Sequence, residues 1–198
     1  INDKSISKYI IEQWIILSKI LWTKNCIVTP TSFINTLLQI QKKKNNNITI
    51  GNQHDSQEFL QFLLELFHEG MSSEVKITIE GTPKNNTDKK AIKAYTRWKD
   101  FFENQFSPII NMYFGQHYNL VINKNEISET YDPFSCISLE IPIESLSIYE
   151  CFDSYIQKET IETDDKNLIE KQILFWSFFI HLIIFLKRYS NTGIKNNN

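Results

Sequence analysis

Two carboxylates three positions apart, Asp55 and Glu58, stand at the mouth of a long apolar run, with Gln53 two residues ahead of them. Their chemistry is acceptance. An aspartate at a helix start takes a bond from an orphan backbone amide, and a glutamate three residues on reaches back to the cap's own N–H, the Asp version of a capping box. Phe59, Phe62, Leu63, Leu66 and Phe67 follow at helical spacing, Leu60 and Leu64 widen the stripe, and Gly70 offers a stop. A helix this apolar is buried, so its two carboxylates sit at the rim of a rigid element. The other reactive side chains are scattered. Cys26, Cys136 and Cys151 are far apart and odd in number, and no spacing gives any of them a partner base or a zinc pattern. Cys136 and Cys151 read as small core residues. His54 reads as a channel or surface residue, and His68 and His117 as satisfied structural histidines.

The elements that must position these residues are helical first. Ile6 to Trp22 carries Ile10, Trp14, Leu17 and Leu21 on one face. Thr29-Pro30 predicts a second helix with Thr as cap and Pro at the first helical position, buried through Phe33, Leu37 and Ile40 and closed by Lys42 to Asn47. After the capped helix, Val75, Ile77 and Ile79 alternate and predict a short strand over Glu74–Glu80. A helix over about Lys89–Phe106 would bury Tyr95, Trp98, Phe102 and Phe106, with Phe101 beside them, and Ser107-Pro108 restarts a short one through Met112. Past Gly115 the period becomes two. Strands are expected over Tyr118–Ile122, Ile127–Tyr131 and Cys136–Ile141, with turns at Asn123-Lys124-Asn125 and Asp132-Pro133. Ser147 to Glu150 is a second capping box, Glu159–Glu170 reads as an acidic loop, and Ile173–Leu186 as a buried strand or strand pair. Helices followed by strands give an α+β class.

Composition narrows the partners. The 198 residues are 41% hydrophobic and 22% charged, which is globular. A net charge of −2 argues against a sequence-independent nucleic-acid surface, and the one lysine cluster, Lys42 to Lys44, reads as a solvated loop. The 14-residue apolar run is too short to span a bilayer, no signal peptide opens the chain, and unpaired cysteines fit a reducing, intracellular compartment, cytoplasm or nucleus.

Several pieces then match one family in order. Gln53-His54-Asp55-Ser56-Gln57-Glu58-Phe59-Leu60 resembles the Gln-x-Asp-Ala-x-Glu-Phe-Leu box of the ubiquitin-specific proteases, papain-like cysteine deubiquitinases. Leu17 to Trp22 with Val28-Thr29-Pro30 and Phe33 is similar to the segment leading into it. Ser107-Pro108-Ile109-Ile110, Phe114-Gly115-Gln116, Ser128-Glu129-Thr130-Tyr131-Asp132-Pro133-Phe134, Ile148 to Glu159 and Leu186-Lys187-Arg188-Tyr189 resemble the later elements. The resemblance implies a partial papain-like catalytic domain: a helical thumb over 1–114, then fingers and palm strands over 115–198, truncated before the His box.

It also implies a function. The family removes ubiquitin from proteins by thiol-dependent hydrolysis, and Gln53, Asp55 and Glu58 would face ubiquitin's C-terminal tail. Arginines of that tail make charge-assisted, bidentate bonds to carboxylates. Gln53 would line the same channel or hold the loop. The departures are as informative. The family's Gly-Asn-x-Cys-Tyr box and its His box are not found, so the resemblance implies no catalytic residue within this stretch. Cys26 lies where the family keeps no nucleophile, and His181 is expected inside an apolar strand. The finger cysteine pairs are missing too, so no metal and no other cofactor is expected. The expected partner is ubiquitin or a ubiquitinated protein, with no nucleic acid and no membrane. The alternative is a catalytically dead ubiquitin-binding or scaffold module.

Overall fold

The computed structural model describes residues 3–23, 26–44, 53–124, 126–142, 147–162 and 168–188, with side chains from residue 6. Asn45–Asn47, Gly51 and Asn52 of the polar loop, Asn125, Tyr189 and the tail Ser190–Asn198 lie outside the described residues. The class is α+β, and the chain forms two compact units.

The first unit comprises Ile1–Val75 with Gln105–Ile110. It holds α1 (Asp3–Trp22), α2 (Thr31–Lys44) and α3 (Ser56–Met71). One core joins them: Ile10 from α1, Phe33, Leu37 and Ile40 from α2, and Phe62 and Leu66 from α3, with Leu17, Phe59, Leu63 and Phe67 packed against it. The helical period of the sequence is thus the packing pattern of the unit. α2 begins one residue later than expected, since the Ile34 amide donates to the Pro30 carbonyl at 3.0 Å, making Pro30 the cap. Lys42 to Lys44 form its last turn rather than a loop, where cations favour the negative end of the helix dipole.

Gly70 does not stop α3. The helix continues through Met71 to a cap at Ser72, and Gly70 is buried where α1 crosses. A Cβ there would lie 2.5 Å from the Ser7 carbonyl oxygen and against Ile11 Cδ1, so the glycine is required by close approach rather than by a turn.

The second unit comprises Lys76–Asn104 with Asn111–Asn198. Its helix α4 runs over Asn86–Phe102, opened by Asn85, whose side chain accepts from the Asp88 amide. α5 (Pro108–Tyr113) precedes β1 (Gly115–Asn123), β2 (Glu126–Phe134) and β3 (Ile137–Glu140). Then come α6 (Ile148–Tyr155), β4 (Glu159–Glu162), β5 (Leu168–Ser177) and β6 (Ile184–Lys187). Four strands form an antiparallel sheet in the order β2-β1-β5-β4, and β3 pairs in parallel with β6. A second core of Phe134, Ile137, Leu139 and Cys151 lies under α6, with Phe152, Tyr155, Phe175 and Phe179 around it. The Ser147–Glu150 capping box is formed as expected.

Four expectations are corrected here. Residues 74–80 alternate in burial but pair with no strand among the described residues; the Ile77 amide is taken by the Glu103 carboxylate at 3.3 Å instead. Alternation reports one-sided burial of an extended chain, not its hydrogen-bond partner. Asp132-Pro133 is strand rather than turn, paired with Gln116 and His117, and Pro133 is tolerated because β2 is an outer strand. The acidic stretch after Glu159 contains β4 and the start of β5. Tyr95 is 57% and Phe101 38% exposed, because α4 buries Ala94 and Phe102 and turns those two rings outward.

Candidate functional site

The capped start of α3 is built as its residues demand. Asp55 keeps extended backbone angles (φ −69°, ψ 126°), and its Oδ1 accepts from the Gln57 amide at 2.7 Å. The cap is one-sided: among the described residues the reciprocal bond from Glu58 to the Asp55 amide is absent, and Glu58 stands in the first turn. Gln53, Asp55 and Glu58 are all exposed. The structure therefore brings the three side chains to one exposed helix mouth.

Behind the mouth the helix is held from several directions. Trp14 packs between Phe33 and Phe67, with centroids 5.7 and 5.8 Å away. Near the far end, Glu69 accepts from the buried Ser7 hydroxyl at 2.9 Å and pairs with Lys44. His68 Nδ1 meets the Ser107 hydroxyl at 2.8 Å, and burial lowers its pKa against the pull of Glu69 and Glu65. It is a satisfied structural histidine.

The remaining titratable groups are placed as follows. Cys26 is exposed, and its thiol donates to the backbone carbonyls of Ile20 at 3.3 Å and Thr23 at 3.8 Å. Cys151 is buried and donates to the Ser147 carbonyl at 3.7 Å. His117 stacks on Phe134 at 3.8 Å with planes 8° apart, and its Nε2 lies 3.4 Å from the Tyr155 hydroxyl. Burial pushes its imidazole down to about 4, with Asp132 pulling weakly the other way. His181 is not inside a strand. It lies at the bend between β5 and β6, where its amide donates to the Met112 carbonyl at 2.9 Å. Leu139 and Glu140 pair with Leu186 and Lys187, and Lys187 reaches Glu140 at 3.1 Å. No group of three or more His, Cys, Asp or Glu among the described residues is arranged to hold a metal.

One polar cluster escaped the sequence reading. Lys90 on α4 meets Glu129 and the Tyr118 hydroxyl at 2.8 Å each, and that hydroxyl donates to Glu129 at 2.6 Å. The Lys90 ammonium and the Tyr118 hydroxyl hold the Glu129 carboxyl down to about 2. Its members come from three elements, and Glu129 appeared in the sequence only as a letter inside a strand.

A family model described as ubiquitin carboxyl-terminal hydrolase matches residues 2–198. The chain belongs to that family. Among curated relatives, ubiquitin carboxyl-terminal hydrolase 4 of Saccharomyces cerevisiae (strain YJM789) is 29% identical over 175 residues, covering 78% of this chain and 19% of the relative. The enzyme of the same name from Vanderwaltozyma polyspora is 31% identical over 163 residues, covering 73% and 18%. Ubiquitin carboxyl-terminal hydrolase Usp2 of Drosophila melanogaster is 29% identical over 185 residues, covering 87% and 19%. The chain thus spans about a fifth of the length of these relatives. Among solved structures, a chain from "Structure of the SAGA Ubp8/Sgf11/Sus1/Sgf73 DUB module bound to ubiquitin aldehyde" superposes with a TM-score of 0.53. The match covers 84% of this chain and 35% of that one at 23% identity, a likeness of fold.

Proposed function

We propose that the chain is the substrate-holding part of a ubiquitin carboxyl-terminal hydrolase, a cysteine-type deubiquitinase of the cytoplasm or nucleus. Its helices within 1–114 form the thumb and its strands within 115–198 the fingers and palm. Asp55 and Glu58 take arginines of ubiquitin's extended C-terminal tail, and Gln53 lines the same channel. One observation carries this: two exposed carboxylates stand one turn apart at the start of a helix whose opposite side is fixed in a core. The cap bond holds the Asp55 carboxylate in place, and the buried helix fixes the backbone from which Glu58 reaches, so less order remains to be imposed when a guanidinium binds.

The thiolate and the imidazole of the reaction are assigned outside residues 1–198. Cys26 and Cys151 support that assignment, because their thiols donate to backbone carbonyls rather than to an imidazole. The same observation leaves the second reading, a catalytically dead ubiquitin-binding module, alive.

An electrophilic ubiquitin probe separates the two. Full-length gene product that forms an adduct is a deubiquitinase, and folded full-length product that forms none is the binding module. The 198-residue chain is expected to form no adduct, yet to bind ubiquitin and lose that binding in Asp55→Ala and Glu58→Ala. An adduct on Cys26, or ubiquitin affinity indifferent to both substitutions, overturns the assignment.

A further inference from the structure

The outer edge of β2 and the helix beside it form a cleft that the functions above do not use. β2 is bonded to β1 along its inner edge from Gly115↔Phe134 to Asn123↔Glu126, and its outer edge carries no strand among the described residues. Direct partners in an antiparallel pair share a face. Glu129 and Tyr131 therefore lie on one face of the sheet with Tyr118, while Thr130 and Asp132 lie on the other with Asn119. Helix α4 nevertheless reaches both. Lys93 contacts Glu129 at 3.4 Å, and Arg97 contacts Asp132 at 3.8 Å. Arg97 thus crosses the strand edge. A cleft of about 400 Å³ opens between α4 and that edge, with Ile92, Thr96 and Asp100 on the helix side. That is within the size range of ligand pockets.

The cleft has hydrogen-bond donors to spare. Tyr131 forms part of its floor, 3% exposed, with its ring against Tyr118 and Trp176 and its hydroxyl closed off from an occupant, so the donors are those of α4. The carboxylates already have closer partners. Glu129 is held by Lys90 and Tyr118, and Asp132 accepts from Asn119 at 2.8 Å and Thr130 at 2.9 Å. Lys93 and Arg97 are left with long contacts to these carboxylates, the Arg97 guanidinium lying also over the Phe101 ring at 4.5 Å, and among the described residues most of their N–H groups are uncommitted. An occupant must therefore be rich in acceptors, must fit beside a strand edge, and must carry negative charge where Lys93 and Arg97 stand one turn apart.

We propose that this cleft binds an extended acidic peptide segment, its main chain pairing with the outer edge of β2 and its carboxylate side chains on Lys93 and Arg97. Strand addition at a free edge gives affinity through the main chain, and side chains beside it give specificity. Asp100, at the end of the helix wall, disfavours an acidic residue opposite itself and so sets the register.

The test uses the ¹⁵N-labelled 198-residue chain and a pool of capped pentapeptides, Ac-X-Glu-X-Glu-X-NH₂ with X drawn from Val, Ile and Thr, beside its Gln counterpart. Amide shifts are expected along 127–132 and 92–100, with the acidic pool binding roughly tenfold more tightly, as charge-assisted bonds do relative to neutral ones. That preference is expected to vanish in Lys93→Ala/Arg97→Ala. Several outcomes overturn the proposal: no β2 shifts at millimolar peptide, equal binding of the Gln pool, or the same shifts produced by glutarate alone. Concentration-dependent dimerisation through β2 without peptide also overturns it, in favour of a second copy.

Discussion

The Gly70 Cα and the Ser7 carbonyl oxygen face each other across the α1–α3 crossing at a separation that leaves no room for a methyl group. An added Cβ would have to push α1 away or rotate α3. Gly70→Ala therefore sets two effects against each other. Alanine gains about 1 kcal/mol of helix propensity over glycine, but overpacking costs about 1–3 kcal/mol. The contact is with backbone, which cannot swing aside, so the loss is expected to win. Urea denaturation should show Gly70→Ala destabilised by up to about 2 kcal/mol; a stabilised variant would mean that the crossing relaxes freely.

His117 gives the second unit a pH dependence of known sign. Its folded pKa is about 4, below the unfolded value of about 6.5. The unfolded chain therefore takes up the proton first as pH falls. Stability is full above about 6.5 and is lost as pH falls through about 4, by an amount on the order of 3 kcal/mol. His68, also lowered by burial, gives the first unit a dependence of the same sign. His117→Gln should flatten most of this slope and leave that of the first unit. An imidazole Cε1–H resonance of His117 titrating near 6.5 would contradict the burial argument.

Glu129 behaves oppositely. Its carboxyl is held to about 2 by Lys90 and Tyr118, so its contribution is present above its unfolded pKa and lost as pH falls toward 2. Lys90 is accessible to solvent, and screening limits the pair to about 0.5–1 kcal/mol. A double-mutant cycle with Lys90→Met and Glu129→Gln measures this coupling, and a value near zero would reduce the cluster to a surface contact.

The mouth of α3 separates two roles of one residue. Asp55→Ala removes a side-chain cap and should cost about 1 kcal/mol of stability. Glu58→Ala, which lacks a capping bond among the described residues, should cost under about 0.5 kcal/mol, as an ordinary exposed change does. If the proposed tail contact holds, both variants lose ubiquitin affinity despite their unequal effects on folding. Matching losses of stability and affinity in Asp55→Ala alone would leave only the cap.

Much of this was legible in the sequence because it is local. The Asp55 cap, the Ser147–Glu150 capping box and the burial of Phe62 and Leu66 each depend on residues within a turn or two of one another. The turn residue Lys124 takes φ 52°, the left-handed angle a tight hairpin imposes. What the sequence hid depends on a partner elsewhere. Gly70 looked like a stop because nothing in its neighbourhood announces that Ser7 will arrive there. Residues 74–80 have a strand's alternation without a strand beside them. Tyr95 has helical spacing, but Ala94 won the buried face. The three-element cluster around Glu129 carries no short-range signature.

The parallel pairing of β3 with β6 has a consequence for the order of events during synthesis. Glu140 and Lys187, joined across that pair, are 47 positions apart. Everything between them, including α6 and the last two strands of the four-stranded sheet, leaves the ribosome before β3 meets its mate. Until then Ile137 and Leu139 have α6 above them and no strand beside them. Closing so long a loop is slow compared with forming the β1–β2 hairpin. A nascent chain paused shortly before Ile184 would thus hold a finished hairpin and an unfinished core, the state in which chaperone capture is most expected.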